Sequence, residues 1–150
     1  MSISNEQQPT GLAFLQKAVK AGGLGTGIGQ TLGLGIDSVD DGRVSLSGTP
    51  GPEHANPMGA VHGGYLATLL DGAMALALQT RLDIGTSYAT TDLNVSFVKG
   101  VVPGSGKVQC VGKVIHQGRT LALAEARITN GEDKLCAHAT ATFAIVHGRN

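Results

Sequence analysis

The chain has 150 residues, the size of one domain, and its eleven basic and eleven acidic side chains cancel to a formal net charge of zero. That balance excludes the broad basic footprint of a general nucleic-acid binder, and a hydrophobic content of 41% excludes a disordered chain. Glycine is in excess, with 23 residues against a usual share of roughly 7%, while aromatics are only 3% with no Trp, so Ala, Val, Leu and Ile must fill the core.

The opening MSISNEQQPT lacks a basic stretch followed by an apolar one, so no secretory leader is read there and the cytoplasm is the expected compartment. Residues 11–21 place Leu12, Leu15, Val19 and Phe14 at helical spacing. Seven glycines follow within residues 22–35. They form no dinucleotide-binding G-x-G-x-x-G, because Ile28 and Gln30 stand where the third Gly would be needed. Gly106-Lys107 likewise fails as a P-loop, since Val101 and Val108 occupy the flanking Gly and Ser/Thr positions. The 22–35 segment therefore reads as a flexible connector, and the domain division as residues 1–29 (helix and connector) and 30–148.

From Thr31 the texture is strand, Asp41-Gly42 turn, strand. A loop at 50–60 holds three of the five prolines, and a helical pattern then runs from about His62 to Leu82. Its most apolar part, Val61 to Leu78, is broken by His62, Thr68 and Asp71, which excludes a membrane span. Four alternating runs follow (86–98, 106–117, 119–130 and 134–146), joined by QGR and NGED turns. Cys110 and Cys136 lie within these runs and read as small buried hydrophobes. The order predicts an α+β fold, one helix against a mostly antiparallel sheet.

Asp71 is the single charged residue in YLATLLDGAMALAL, a helix apolar on nearly every side. An ionised carboxylate there must be paired, hydrogen-bonded or neutralised. At the start of the same helix stand His62-Gly63-Gly64. Glycine is a poor helix former, but it lets another molecule approach the first free backbone N–H groups, which suit a developing oxyanion. Gly63 and Asp71 are separated by about 12 Å of helix, too far to act on one carbonyl. If they act together, the carboxylate must come from a second, antiparallel copy, which predicts a two-fold dimer with two shared sites.

Asn56-(x5)-His62-Gly63-Gly64-(x6)-Asp71-Gly72, with the later VSFVKGVVPGSGKV and HQGRTLALAEARI, resembles the hotdog-fold acyl-CoA thioesterases of the phenylacetate-degradation and thioesterase-superfamily-member-2 type over residues 30–146. The resemblance implies a hotdog fold, one long central helix wrapped by a mostly antiparallel sheet of five or six strands. It also implies hydrolysis of an acyl-CoA to free acid and coenzyme A. On that reading the Gly63 N–H polarises the thioester carbonyl, and Asp71 of the facing subunit is general base or nucleophile. Asn56 helps position the water or the carbonyl, and His62 orients the loop or contacts the thioester. Thr90 holds the water, with Thr91 as the competing hydroxyl. Gly64 adjoins the substrate, and coenzyme A is met by Val98, Lys99, His116, Gln117, Gly118 and Arg119, with Lys99 or Arg119 as phosphate partner. The family implies a homodimer, paired further as a dimer of dimers, acting on acyl-CoA without cofactor, metal, nucleic acid or membrane. Met74 stands where some members carry a hydroxyl, and some carry Glu in place of Asp71. The alternative is a hotdog module that binds acyl-CoA as a sensor without chemistry. The sequence leaves the acyl group open between aryl and aliphatic.

Overall fold

The apolar run after the proline-containing loop folds as the longest helix of the chain, and everything else is laid around it. In this computed structural model, which describes residues 10–148, the order is α1 (Gly11–Lys20), α2 (Ile28–Thr31), β1 (Gly35–Asp40), β2 (Arg43–Gly48), a 3-10 turn (Pro52–His54), α3 (Gly63–Gln79), β3 (Ser87–Phe97), β4 (Val108–Gln117), β5 (Leu121–Thr129) and β6 (Leu135–Val146). The strands make one antiparallel sheet of six in the order β1-β2-β4-β5-β6-β3, with α3 against one face. This is the hotdog arrangement that the sequence pattern implies.

Small side chains allow the helix to sit close. The sheet face beneath α3 carries buried Ala122, Ala124, Ala126, Ala137, Ala139 and Ala141, with Ile128, Phe143 and Ile145 as bulkier residues toward the strand ends. At the tightest point β4 has Gly112, where a Cβ would lie 2.5 Å from the carbonyl carbon of Ala73. The scarcity of aromatics is thus a packing requirement, since larger residues would lift the helix off the sheet. Cys110 and Cys136 are buried free thiols in this core, in keeping with their reading as small hydrophobes.

Three sequence expectations are corrected. The helix stops at Gln79 and does not continue to Leu82, because Thr80 turns its hydroxyl back to the Ala77 carbonyl (2.6 Å) and accepts the Gly42 N–H (2.8 Å). The 22–35 segment is not wholly a connector, because Ile28–Thr31 forms the short α2. Nor is α3 buried all round: Ala67, Thr68, Asp71, Gly72, Ala75, Leu76 and Gln79 form a half-buried stripe along one side. Asp71 therefore avoids full desolvation. α1 contributes Leu15, fully buried, to the same core. The first nine residues, within the expected 1–29 unit, lie outside the described ones. No helix among the described residues is long and apolar enough to cross a membrane.

Candidate active site

Helix α3 begins where His62 caps it. The imidazole Nδ1 of His62 accepts the Gly64 N–H at 2.8 Å, and the His62 carbonyl accepts the Tyr65 N–H at 3.0 Å. Gly63 is left with its N–H unclaimed among the described residues. The cap thus decides which donor is free: Gly64, expected beside the substrate, spends its N–H on His62, whereas the half-buried Gly63 keeps its own at the positive end of the helix. The ring of Phe97 lies over Gly63, where a Cβ would come within 2.9 Å of Cζ. Phe97 and Thr90 both lie on the α3 side of β3, and Phe97 is one of the few aromatics that the sequence offers near the site, though strand parity alone does not show that it reaches Gly63.

Asn56 builds the preceding loop. Its Oδ1 accepts the Met58 N–H (3.0 Å) and the Ala60 N–H (3.1 Å), while its backbone N–H donates to the Ala60 carbonyl (2.7 Å). The carbonyl end of this side chain is committed to the loop, so only its amide end is left for a substrate or water. His54 packs its ring on Tyr65 with centroids 4.6 Å apart, holding this loop to the helix.

Two turns along α3, the half-buried Asp71 accepts a hydrogen bond from Thr90 Oγ1 at 2.8 Å. Sequence parity left Thr90 and Thr91 as rivals, and a β-bulge separates them. The β3–β6 register slips between Thr90 and Asp92, so Thr91 is the extra residue, and its hydroxyl donates to the Thr142 carbonyl at 3.2 Å. Thr90 keeps the face toward α3 and Thr91 does not. Tyr88 lies on the same face, and its hydroxyl donates to Gln79 Oε1 at 2.9 Å. Burial first, and then the Asp71 charge, push its phenol up to about 12.

The remaining expected contacts do not converge within one chain. Thr90 pairs with Phe143, Phe143 with Ala122, and Ala122 with Gln117, so Asp71, Thr90 and the β4–β5 hairpin carrying His116 to Arg119 share one end of the sheet. Phe97 pairs with Ala137 at the other end, where Val98 and Lys99 follow and the Val98 N–H donates to the Cys136 carbonyl at 2.8 Å. Thr90 and Phe97 are roughly 20 Å apart along the strand. Lys99 and Arg119 therefore cannot serve one phosphate group from a single chain. Neither forms an ion pair among the described residues. Among those residues no group of three His, Cys, Asp or Glu is placed to hold a metal.

Comparison with known proteins agrees with this architecture. Residues 58–137, more than half of the chain and including Gly63, Asp71, Thr90 and the β4–β5 hairpin, match the model of the thioesterase superfamily. Human acyl-coenzyme A thioesterase 13 is similar at 29% identity over 117 residues, covering 77% of this chain and 82% of that protein. A thioesterase family protein of Silicibacter pomeroyi superposes with a TM-score of 0.80 at 26% identity, covering 89% of this chain and 99% of the other. The PaaI protein of the E. coli phenylacetic acid degradation operon shares the fold, with a TM-score of 0.79 at 22% identity over 92% of this chain and 95% of its own. The chain belongs to the thioesterase superfamily, whose chemistry is the hydrolysis of a thioester.

Proposed function

We propose that the protein hydrolyses an acyl-CoA at two equivalent sites, each completed by two copies of the chain paired through β3. The observation that carries this is the placement of the two half-sites at opposite ends of one edge strand. β3 is eleven residues long, has β6 on one side only, and is exposed along most of its length, with Leu93 37% and Phe97 55% exposed and Val98, just beyond it, 61%. A long unprotected edge with apolar side chains is a template for a second strand. Antiparallel pairing of two β3 strands about a central two-fold brings Asp71 and Thr90 of one protomer opposite Gly63, Phe97 and Lys99 of the other. The same operation carries Lys99 toward the partner's β4–β5 hairpin, so that Lys99 and Arg119 would approach coenzyme A from two chains.

In that site the Gly63 N–H of one protomer donates to the thioester oxygen. Thr90 holds one oxygen of Asp71, leaving the other to take a proton from water as the water oxygen attacks the carbonyl carbon. The tetrahedral oxyanion collapses with cleavage of the C–S bond, and the departing thiolate is reprotonated, giving free acid and coenzyme A. Attack by Asp71 itself is the other route. In one turnover in ¹⁸O-labelled water, label in Asp71 would establish the nucleophilic route with water opening the anhydride at the Asp71 carboxyl carbon, because general-base hydrolysis puts the water oxygen only into the released acid. A module that merely binds acyl-CoA would have no use for a carboxylate ordered by Thr90.

Shared sites are tested by mixing two inactive variants. Asp71→Asn and Gly63→Pro should each be inactive, and Pro at the first helical position keeps the helix while removing the N–H. Unfolded and refolded together, they form mixed dimers in which one of the two sites is intact, so about a quarter of native activity should return. No recovery, with mixed dimers present, would refute the shared site.

A further inference from the structure

We propose that the cavity between the glycine-rich segment and α3 is the acyl-chain subsite, and that it selects uncharged aliphatic acyl groups of medium chain length. This deepens the acyl-CoA reading above and rests on it. The cavity measures about 650 Å³, within the range of small-molecule sites. One wall is the 22–35 segment, which lies outside the residues matched by the family model, and the other is the stripe of α3 formed by Thr68, Gly72 and Ala75. Gly72 adjoins Asp71 in sequence and Ala75 lies one turn beyond it, so the cavity opens on the helix face next to the carboxylate.

The lining specifies the occupant. No ionisable and no aromatic side chain lines it. A second carboxylate on the acyl group would meet no cation there, only the Thr26 hydroxyl and the Gln30 amide, and an aryl ring would find no ring to stack on. The Thr68 hydroxyl is turned back to the Gly64 carbonyl at 2.8 Å, so it offers no free donor. Leu24 and Ile28 line the cavity yet are 49% and 64% exposed, apolar surface that the protein core does not cover. An alkyl chain would cover it. From Thr68 to Leu76 the lining follows about 12 Å of helix, which suits a medium chain.

The glycines make this wall thin. Gly22, Gly23 and Gly25 line it with positive φ and no side chain, so the backbone itself forms the wall. Gly29 is different: its φ is ordinary and nothing lies within 4 Å of a Cβ built on it. A side chain at position 29, on the cavity lining, can therefore be added without straining the backbone.

The experiment compares acetyl-, hexanoyl- and decanoyl-CoA hydrolysis in the unsubstituted protein, Gly29→Leu and Ile28→Asn. Both variants should lower kcat/KM for decanoyl-CoA by about tenfold or more while leaving acetyl-CoA within about twofold. Ile28 is mostly solvent-exposed, so Ile28→Asn keeps the test meaningful if Gly29→Leu folds poorly. Equal effects at every chain length, or none, would overturn the subsite while leaving hydrolysis standing. A changed oligomeric state in Ile28→Asn without a change in chain-length preference would show that a second copy covers the groove, and would also overturn it. If the unsubstituted protein hydrolysed no acyl-CoA, the hydrolytic reading would fail. Calorimetric binding of decanoyl- against acetyl-CoA to Asp71→Asn protein, with and without Gly29→Leu, would still decide the cavity. Tighter decanoyl binding that Gly29→Leu abolishes supports the subsite, and indifference to chain length rejects it.

Discussion

Nineteen residues separate Asp71 from Thr90, and a single 2.8 Å hydrogen bond makes them one unit. Asp71→Asn preserves shape and removes the proposed acceptor of the water proton, so kcat should fall by about 10²–10⁴ with little change in melting temperature. Thr90→Val keeps the β-branched shape that suits β3 and should lower kcat by roughly tenfold, the scale of one lost hydrogen bond. Thr91→Val should change turnover little, because Thr91 bonds to the β6 backbone. Steady-state kinetics on the three variants checks the order. Tyr88 supplies a stability prediction with a definite sign. Its phenol titrates at 10.0 when unfolded and near 12 when folded, so below pH 10 its contribution is fully present. Between pH 10 and 12 the unfolded chain releases a proton that the folded chain keeps, and stability falls as pH rises. The loss approaches about 2–3 kcal/mol at most from this group. Urea unfolding at pH 8 and pH 11 should show a shallower decline in Tyr88→Phe than in the unsubstituted protein.

At the scale of elements, α3 and β3 each do two things. The start of α3 is capped by an imidazole, so His62→Ala should cost about 1 kcal/mol of stability and also lower kcat, because the cap that fixes the helix start carrying the Gly63 N–H would be lost. Urea midpoints together with kcat on the same preparation test this, and a stability loss without a kinetic one would confine His62 to capping. The β3 edge is the predicted dimer seam. Asn94 lies near its centre, paired with Thr140 of β6. Asn94→Pro should yield a monomer by sedimentation and abolish turnover while Asp71 and Thr90 remain in place. An active monomer would contradict the shared site.

At the scale of the whole molecule, zero net charge leaves no broad field to gather an anionic substrate. On the proposed reading, attraction of coenzyme A phosphates would depend on a few cations, Lys99 and Arg119 foremost, drawn from two chains. KM should rise with ionic strength by a modest factor, and the rise should flatten in Lys99→Met and Arg119→Met. The buried thiol of Cys110, pushed up to about 12 by desolvation, belongs to the packing alone and should resist alkylation at pH 8 until the protein unfolds.

Much of this was legible in the residues themselves. A lone acid in an apolar helix, two glycines where better helix formers are available, and alternating runs joined by Gly-containing turns each carry their own physical reason. Together they determined the class of fold and pointed to the proposed site, in which Asp71 bears the chemistry and a second copy completes it. Other features depend on neighbours that are remote in sequence. A bulge at Thr91 decided which hydroxyl meets Asp71, since a single inserted residue reverses strand parity. A ring nitrogen on Gly64 decided which glycine keeps a free donor. The passage of residues 22–35 over Thr68, Gly72 and Ala75 turned an apparent linker into a cavity wall. Local sequence sets periodicity and propensity, whereas the pairing of distant surfaces is set by packing, and only the folded chain has that.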